Sequence, residues 1–170
     1  MTNQASSTSP VAGEPPAAPP QVAGSVLDRL SPAVRTRLRG LARMRSYEPG
    51  AEILRGHAAT PFLAVIERGR VALRLRVPER GRVTIVTLEA GELVGWSAVV
   101  PPYRATVDAV ALVPTRLVAY DAAALRELLA ADCDLAAGLL PLVLESVSER
   151  LSASWDQLLD LFGTKPWEPW

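Results

Sequence analysis

The chain has 170 residues, 49% of them apolar, enough for one domain with a substantial core. Basic and acidic side chains balance at 18 and 18, which argues against a direct nucleic-acid partner, since such domains carry a basic excess. No run of about eighteen apolar residues provides a membrane span, no basic stretch followed by an apolar block marks a secretory signal, and the single cysteine, Cys133, excludes an internal disulfide and points to a reducing, cytoplasmic setting.

Residues 1–24 are rich in Pro, Ala, Ser, Thr and Gly. Pro10, Pro15, Pro16, Pro19 and Pro20 withhold backbone donors, and few apolar side chains offset the entropy of ordering. A disordered arm is expected there. The folded domain is expected over 25–163. Leu27, Leu30, Val34, Leu38 and Leu41 recur at helical spacing, and Ser31 followed by Pro32 reads as an N-cap with Pro at the first helical position.

From Tyr47 to Tyr120 short apolar runs alternate with Gly and Pro at Pro49-Gly50, Gly56, Gly69, Pro78, Gly81, Gly91 and Pro114. That rhythm predicts an all-β sandwich or barrel. Val71, Leu73, Leu75 and Val77 alternate with Ala72, Arg74 and Arg76, as in a half-buried strand. Phe62 to Ile66 and Val83 to Leu88 are more continuously apolar and are expected to be buried on both faces. Glu67-Arg68-Gly69-Arg70 and Pro78 to Gly81 predict tight turns, Gly69 being free to take positive φ.

Within this region, Gly91 to Thr106 reads Gly-Glu-Leu-Val-Gly-Trp-Ser-Ala-Val-Val-Pro-Pro-Tyr-Arg-Ala-Thr. An acid and an arginine bracket a segment of small and apolar residues. A guanidinium offers a fork of donors to a phosphate, and turn N–H groups add an anion nest. The carboxylate of Glu92 is acceptor-only and suits hydroxyl donors such as those of a sugar.

After Tyr120 helical spacing returns. Asp121 is placed to cap a helix through Ala130, and Asp132 and Asp134 are candidate caps for a last helix over about 135–162, with Gly163 as its stop. Leu144, Leu151 and Leu158 stand seven apart and interleave with Leu140, Val147, Ser154 and Leu161. That is an a/d seam over three heptads and predicts a homodimer. A second stripe of Val143, Trp155, Leu159 and Phe162 is left for the barrel or for the partner. Pro141 either kinks this helix or marks its true start. The tail 164–170, with Trp167 and Trp170 beside prolines, is either a frayed end or a docking peptide.

The Gly-Glu-Leu and Arg-Ala-Thr ends of the 91–106 stretch resemble the phosphate-binding cassette of the cyclic nucleotide-binding domain, as in catabolite-activator and protein-kinase-A regulatory proteins. The resemblance extends over about residues 26–162, with Gly50, Gly69 and Gly91 at the family's structural glycine positions. It implies a jelly-roll, or double-stranded β-helix, of about eight strands, with N-terminal helices and a long C-terminal helix. It implies a site at Gly91, Glu92, Leu93, Arg104, Ala105 and Thr106. By the resemblance, Glu92 takes the ribose 2′-hydroxyl, Arg104 pairs with the cyclic phosphate, and the ligand is cAMP or cGMP. The segment between Glu92 and Arg104 is longer than the family's usual spacing and carries Trp96, Pro101 and Pro102.

No catalytic or metal-binding residues are expected. A metal-dependent barrel enzyme needs several histidines with a carboxylate, and the chain has only His57. Cys133 lies between Asp132 and Asp134, which oppose a thiolate. A DNA-reading module is not expected after the long helix, where only Gly163 to Trp170 follow. The expected function is a ligand-sensing regulatory module that acts on a protein partner. The alternative is a structural or interaction domain that kept the fold and lost the ligand.

Overall fold

The computed structural model describes residues 24–79 and 81–162, with side chains through Trp155. The expected arm and the Trp/Pro tail lie outside the described residues. The chain enters on a 3₁₀ turn, Val26–Arg29, whose Ser25 hydroxyl accepts the Leu27 N–H at 3.0 Å while Asp28 accepts the Ser25 N–H at 3.1 Å. Helix α1 (Pro32–Leu41) follows, with Ser31 as its cap. Eight strands then form the body: β1 (Ala42–Tyr47), β2 (Glu52–Leu54), β3 (Phe62–Arg68), β4 (Val71–Val77), β5 (Gly81–Leu88), β6 (Leu93–Val94), β7 (Asp108–Ala111) and β8 (Thr115–Asp121). Helices α2 (Ala122–Ala131) and α3 (Cys133–Phe162) close the described chain.

The strands make two four-stranded antiparallel sheets, ordered β1-β8-β3-β6 and β2-β7-β4-β5. This is the jelly-roll expected from the sequence. One core fills the space between the sheets, where Phe62, Ala64 and Ile66 of β3 meet Val71, Leu88, Leu117 and Ala119. A second core lies between the first sheet and the helices, where Leu63 and Val65 meet Leu38, Val118, Leu125, Leu135 and Leu139. Residues Phe62 to Ile66 of β3 therefore have no solvent face, which is why the apolar run there is unbroken.

The equal expectation for Val83 to Leu88 is corrected. Among the described strands β5 pairs with β4 alone, and its residues from Gly81 to Thr84 are exposed, Val83 by 39%. Leu75, opposite Val83 in the register, is exposed by 42% rather than half-buried. The hairpin overhangs the roll, and apolar alternation alone does not tell a strand's covered length from its overhang. At the other end of β4, Gly69 takes φ +101°, and a Cβ there would meet Thr115 Oγ1 at 2.5 Å. The turn needs glycine, as the sequence predicts.

The predicted caps are present. Asp121 accepts the Ala124 N–H at 3.0 Å and Asp132 accepts the Leu135 N–H at 3.1 Å. Because Asp132 does the capping, α3 starts at Cys133, two residues before the expected 135, and runs on through Pro141 without a break. Leu135, Leu139, Leu142 and Val143 of α3 are buried against the second core. No helix among the described residues is long and apolar enough to cross a membrane.

Tyr120 is 7% exposed in the second core. Burial pushes its phenol from 10.0 up to about 12, with Arg39 pulling the other way. The folded state thus favours the neutral phenol. That contribution is complete below pH 10 and is lost as the pH climbs towards 12. Denaturant titrations are expected to show wild type losing on the order of 2–3 kcal/mol relative to Tyr120→Phe across that window. Parallel pH profiles for the two proteins would remove the phenol as the cause.

Candidate functional site

The second sheet, the stretch after β6 and helix α3 enclose a cavity of about 270 Å³. Leu54 of β2, Leu73 of β4 and Ile85 and Val86 of β5 form its apolar wall. Gly95 to Ser97 and Ala105 to Val107 form the adjoining walls. From α3 come Val147, Arg150, Leu151 and Ser154.

Among the described lining residues Arg150 is the only charged side chain. It lies mostly buried, and its guanidinium donates to the carbonyl of Leu93 on β6. Burial lowers its pKa to about 10, against the pull of Glu92 and Glu149, so it is a cation at neutral pH. A guanidinium carries five N–H donors in a fixed fork. The Leu93 carbonyl is its one hydrogen-bond acceptor among the described residues, which leaves donors for an anion beside a cavity that is largely apolar, with Ser97, Thr106 and Ser154 as its other polar lining residues.

The two ends of the 91–106 segment are held apart. Gly91 donates its N–H to the Ile66 carbonyl at 2.8 Å, and the Glu92 carbonyl accepts the Ile66 N–H at 3.0 Å, which fastens this turn to β3. The Glu92 carboxylate accepts the Glu89 N–H at 2.6 Å. With Gly91 and Leu93 it borders a different hollow, of about 460 Å³, next to Ser25 and Glu149. The other end pairs with the turn before β3: His57 donates its N–H to the Ala105 carbonyl at 2.7 Å and Ala105 donates to the Ala58 carbonyl at 2.9 Å. Arg104 is exposed and its guanidinium donates to the His57 carbonyl at 2.9 Å.

The six residues expected at the site are therefore not gathered in one cavity. Ala105 and Thr106 line the Arg150 cavity, Gly91, Glu92 and Leu93 line the other hollow, and Arg104 faces solvent. The additional length between Glu92 and Arg104 is packed. Trp96 to Ala98 form a 3₁₀ turn, and Trp96, Val99 and Val100 lie against the helix-side core. Arg126 of α2 donates to the Ala98 carbonyl at 2.7 Å and stacks on the Tyr103 ring at 4.6 Å, so α2 grips the same segment.

Sequence motifs miss Arg150, which stands far along the chain from the cassette. One signal was present. The buried stripe of α3 runs Leu135, Leu139, Val143 and Ser146, and its next position is Arg150. A charge on a buried helical stripe needs a partner or a ligand.

Of the expected seam, Leu140, Leu144 and Leu151 are exposed by 41%, 68% and 57%. Val147 turns to the cavity, and Leu151 also borders it. The Leu158 side chain lies outside the described residues. Trp155 is exposed by 62% while Val143 is buried, so the expected second stripe is split between solvent and core. Among the described residues no group of three or more His, Cys, Asp or Glu is placed to hold a metal ion.

The family model for the cyclic nucleotide-binding domain matches residues 44–132, just over half of the chain. No curated protein matches it by sequence. Among solved structures, a putative cyclic nucleotide-binding protein from Geobacter metallireducens GS-15 is 24% identical, with a TM-score of 0.66 over 74% of this chain and 91% of that one. A cyclic nucleotide-binding domain from Methylobacillus flagellatus KT is 23% identical, with a TM-score of 0.70 over 77% of this chain and 74% of that one. The c-di-GMP responsive global regulator CLP of Xanthomonas campestris is 15% identical, with a TM-score of 0.69 over 79% of this chain and 66% of that one. At these identities the likeness is one of fold.

Proposed function

The chain belongs to the cyclic nucleotide-binding domain family, and from that premise we propose that it is a cytoplasmic ligand sensor, not a catalyst, that signals to a protein partner through α3. The observation that carries this reading is Arg150. It sits on α3, lines the cavity and donates to the Leu93 carbonyl near the start of the cassette. An anionic ligand, cAMP or cGMP by family, competes for that guanidinium. Ligand entry therefore acts on the helix directly and changes the position of the leucines it presents to solvent.

A second reading keeps the fold without the ligand. It is favoured by the two residues that the resemblance assigns to ribose and phosphate: Glu92 accepts the Glu89 N–H and Arg104 donates to the His57 carbonyl, so both find partners within the chain. Thermal-shift titration with cAMP and cGMP separates the readings. A ligand at a hundred times its dissociation constant adds about 2.7 kcal/mol, a shift of several degrees for a domain of this size. An unchanged melting temperature with both nucleotides at millimolar concentration would leave the second reading standing.

The output face is proposed to be a homodimer seam of Leu140, Leu144 and Leu151, continued by Leu158. Leu144 does not border the cavity, so Leu144→Arg tests assembly without touching the ligand. Light scattering at tens of micromolar (about the range where a modest interface still assembles) is expected to report a dimer for wild type and a monomer for the variant. A monomeric wild type would end this part of the proposal.

A further inference from the structure

A cyclic nucleotide carries ring nitrogens, exocyclic base groups, a ribose hydroxyl and a phosphate, and each of these needs a partner once it leaves water. The cavity beside Arg150 supplies few. Apart from the guanidinium, its polar side chains among the described residues are Ser97, Thr106 and Ser154. The Ser154 hydroxyl already donates to the Arg150 carbonyl at 2.8 Å. Glu92, the acceptor suited to a ribose hydroxyl, borders the other hollow, and the exposed Arg104 donates to the His57 carbonyl. Most of the remaining wall is hydrocarbon, from Leu54, Leu73, Ile85, Val86, Val147 and Leu151. The volume of about 270 Å³ falls below the range of about 300–1,000 Å³ for pockets that hold drug-sized ligands. One buried cation on a small apolar cavity is therefore a poor match to the many polar groups of a nucleotide.

We propose that the ligand of this cavity is a compact monocarboxylate with an apolar body, a short acyl chain or a ring. The carboxylate takes the free donors of the Arg150 fork, which match its two oxygens in a planar, bidentate pair. The body displaces water from the leucines and valines, a gain that grows with each methylene buried. A small polar anion such as acetate meets the fork but leaves the apolar wall wet. A neutral molecule of the same shape covers the wall but leaves the fork without its anion. Only the combination answers both features of the cavity. It rests on the reading of Arg150 as the ligand's anchor and changes the body that the anchor holds.

The experiment is calorimetry on the full chain with sodium acetate, butyrate, hexanoate and octanoate at up to millimolar concentration, with hexanol as the neutral counterpart and with cAMP and cGMP. Binding is expected to tighten about fourfold with each added methylene until the cavity is full. Hexanol is expected to bind at least about tenfold more weakly than hexanoate, because the guanidinium gains no partner from it. Arg150→Met is expected to bring hexanoate down to the level of hexanol, which separates the cavity from any apolar surface that takes up acyl chains. Melting curves identify a variant that has lost its fold, and Arg150→Lys, which keeps the charge without the fork, then takes its place with the same expected direction. The proposal is overturned if hexanoate does not bind, if acetate or hexanol binds as tightly, if the arginine variant keeps its hexanoate affinity, or if either nucleotide binds more tightly than hexanoate. The nucleotide arm keeps the two readings apart. Hexanoate binding without nucleotide binding removes the nucleotide and keeps the sensor, nucleotide binding without hexanoate binding removes the carboxylate alone, and no binding of either removes both.

Discussion

Arg150→Met is expected to abolish anion binding in the cavity while leaving the protein at least as stable as wild type. A guanidinium withdrawn from water is unfavourable unless its donors are used, and one Leu93 carbonyl uses only part of the fork. Replacing a buried charge with an apolar side chain of similar length is often neutral or stabilising by about 1–4 kcal/mol. The ligand has the opposite dependence. Losing the charged partner of a desolvated anion costs about 2–5 kcal/mol, or a factor of roughly thirty to several thousand in affinity. Calorimetry with the nucleotide and urea denaturation of the same variant read the two effects separately. Arg104→Ala belongs in the same experiment, because the family resemblance assigns the phosphate to Arg104. If Arg104→Ala destroys binding and Arg150→Met does not, the exposed Arg104 swings inward on binding and the role proposed for Arg150 is wrong.

Gly95→Ala is expected to be among the most destabilising substitutions in the chain. Gly95 has φ +78° and caps the Trp96–Ala98 turn at the cavity wall. A side chain in the left-handed region costs about 1–2 kcal/mol by itself. A Cβ would also stand 2.5 Å from the Phe62 carbonyl oxygen. That oxygen belongs to β3, which is packed on both faces and has little freedom to retreat. Strain and clash together place the expected loss above about 4 kcal/mol, in the exceptional range for one substitution. Gly50→Ala is the control, since Gly50 has φ +84° but nothing within 4 Å of the added carbon. It should show the conformational cost alone, and equal losses in urea titrations of the two variants would refute the steric account.

The contrast between those two glycines also marks what a sequence makes legible. Local devices were readable: Ser31 and Asp132 as caps, Gly69 as a turn, β3 as a strand without a wet face. The caps and the turn depend on neighbours a few positions away, and β3 shows in its unbroken apolar run. The exposed tip of β5 was not readable, because an apolar strand looks the same whether a second sheet covers its whole length or only half. The cassette itself was found, but the destinations of its side chains were not. Glu92 answers to Glu89 and Arg104 to His57, and the second of those contacts spans 47 positions. Arg150 was hidden for the same reason. Only the folded chain brings the buried stripe of α3 to the carbonyl of β6.

The membership of β3 in both cores has a thermodynamic consequence. Leu63 and Val65 face the helices while Phe62, Ala64 and Ile66 face the opposite sheet. Melting the helical layer strips water-excluding contacts from Leu63 and Val65, and melting the opposite sheet strips them from Phe62, Ala64 and Ile66 of the same strand. The helical layer therefore has no inexpensive way to detach from an intact roll, and the two are joined in one cooperative unit. In native-state hydrogen exchange the amides of Leu63 to Ile66 should open only with global unfolding. In the proposed function, a signal received at the cavity would then travel by displacement of an intact α3, because partial melting of the layer beneath it is closed off.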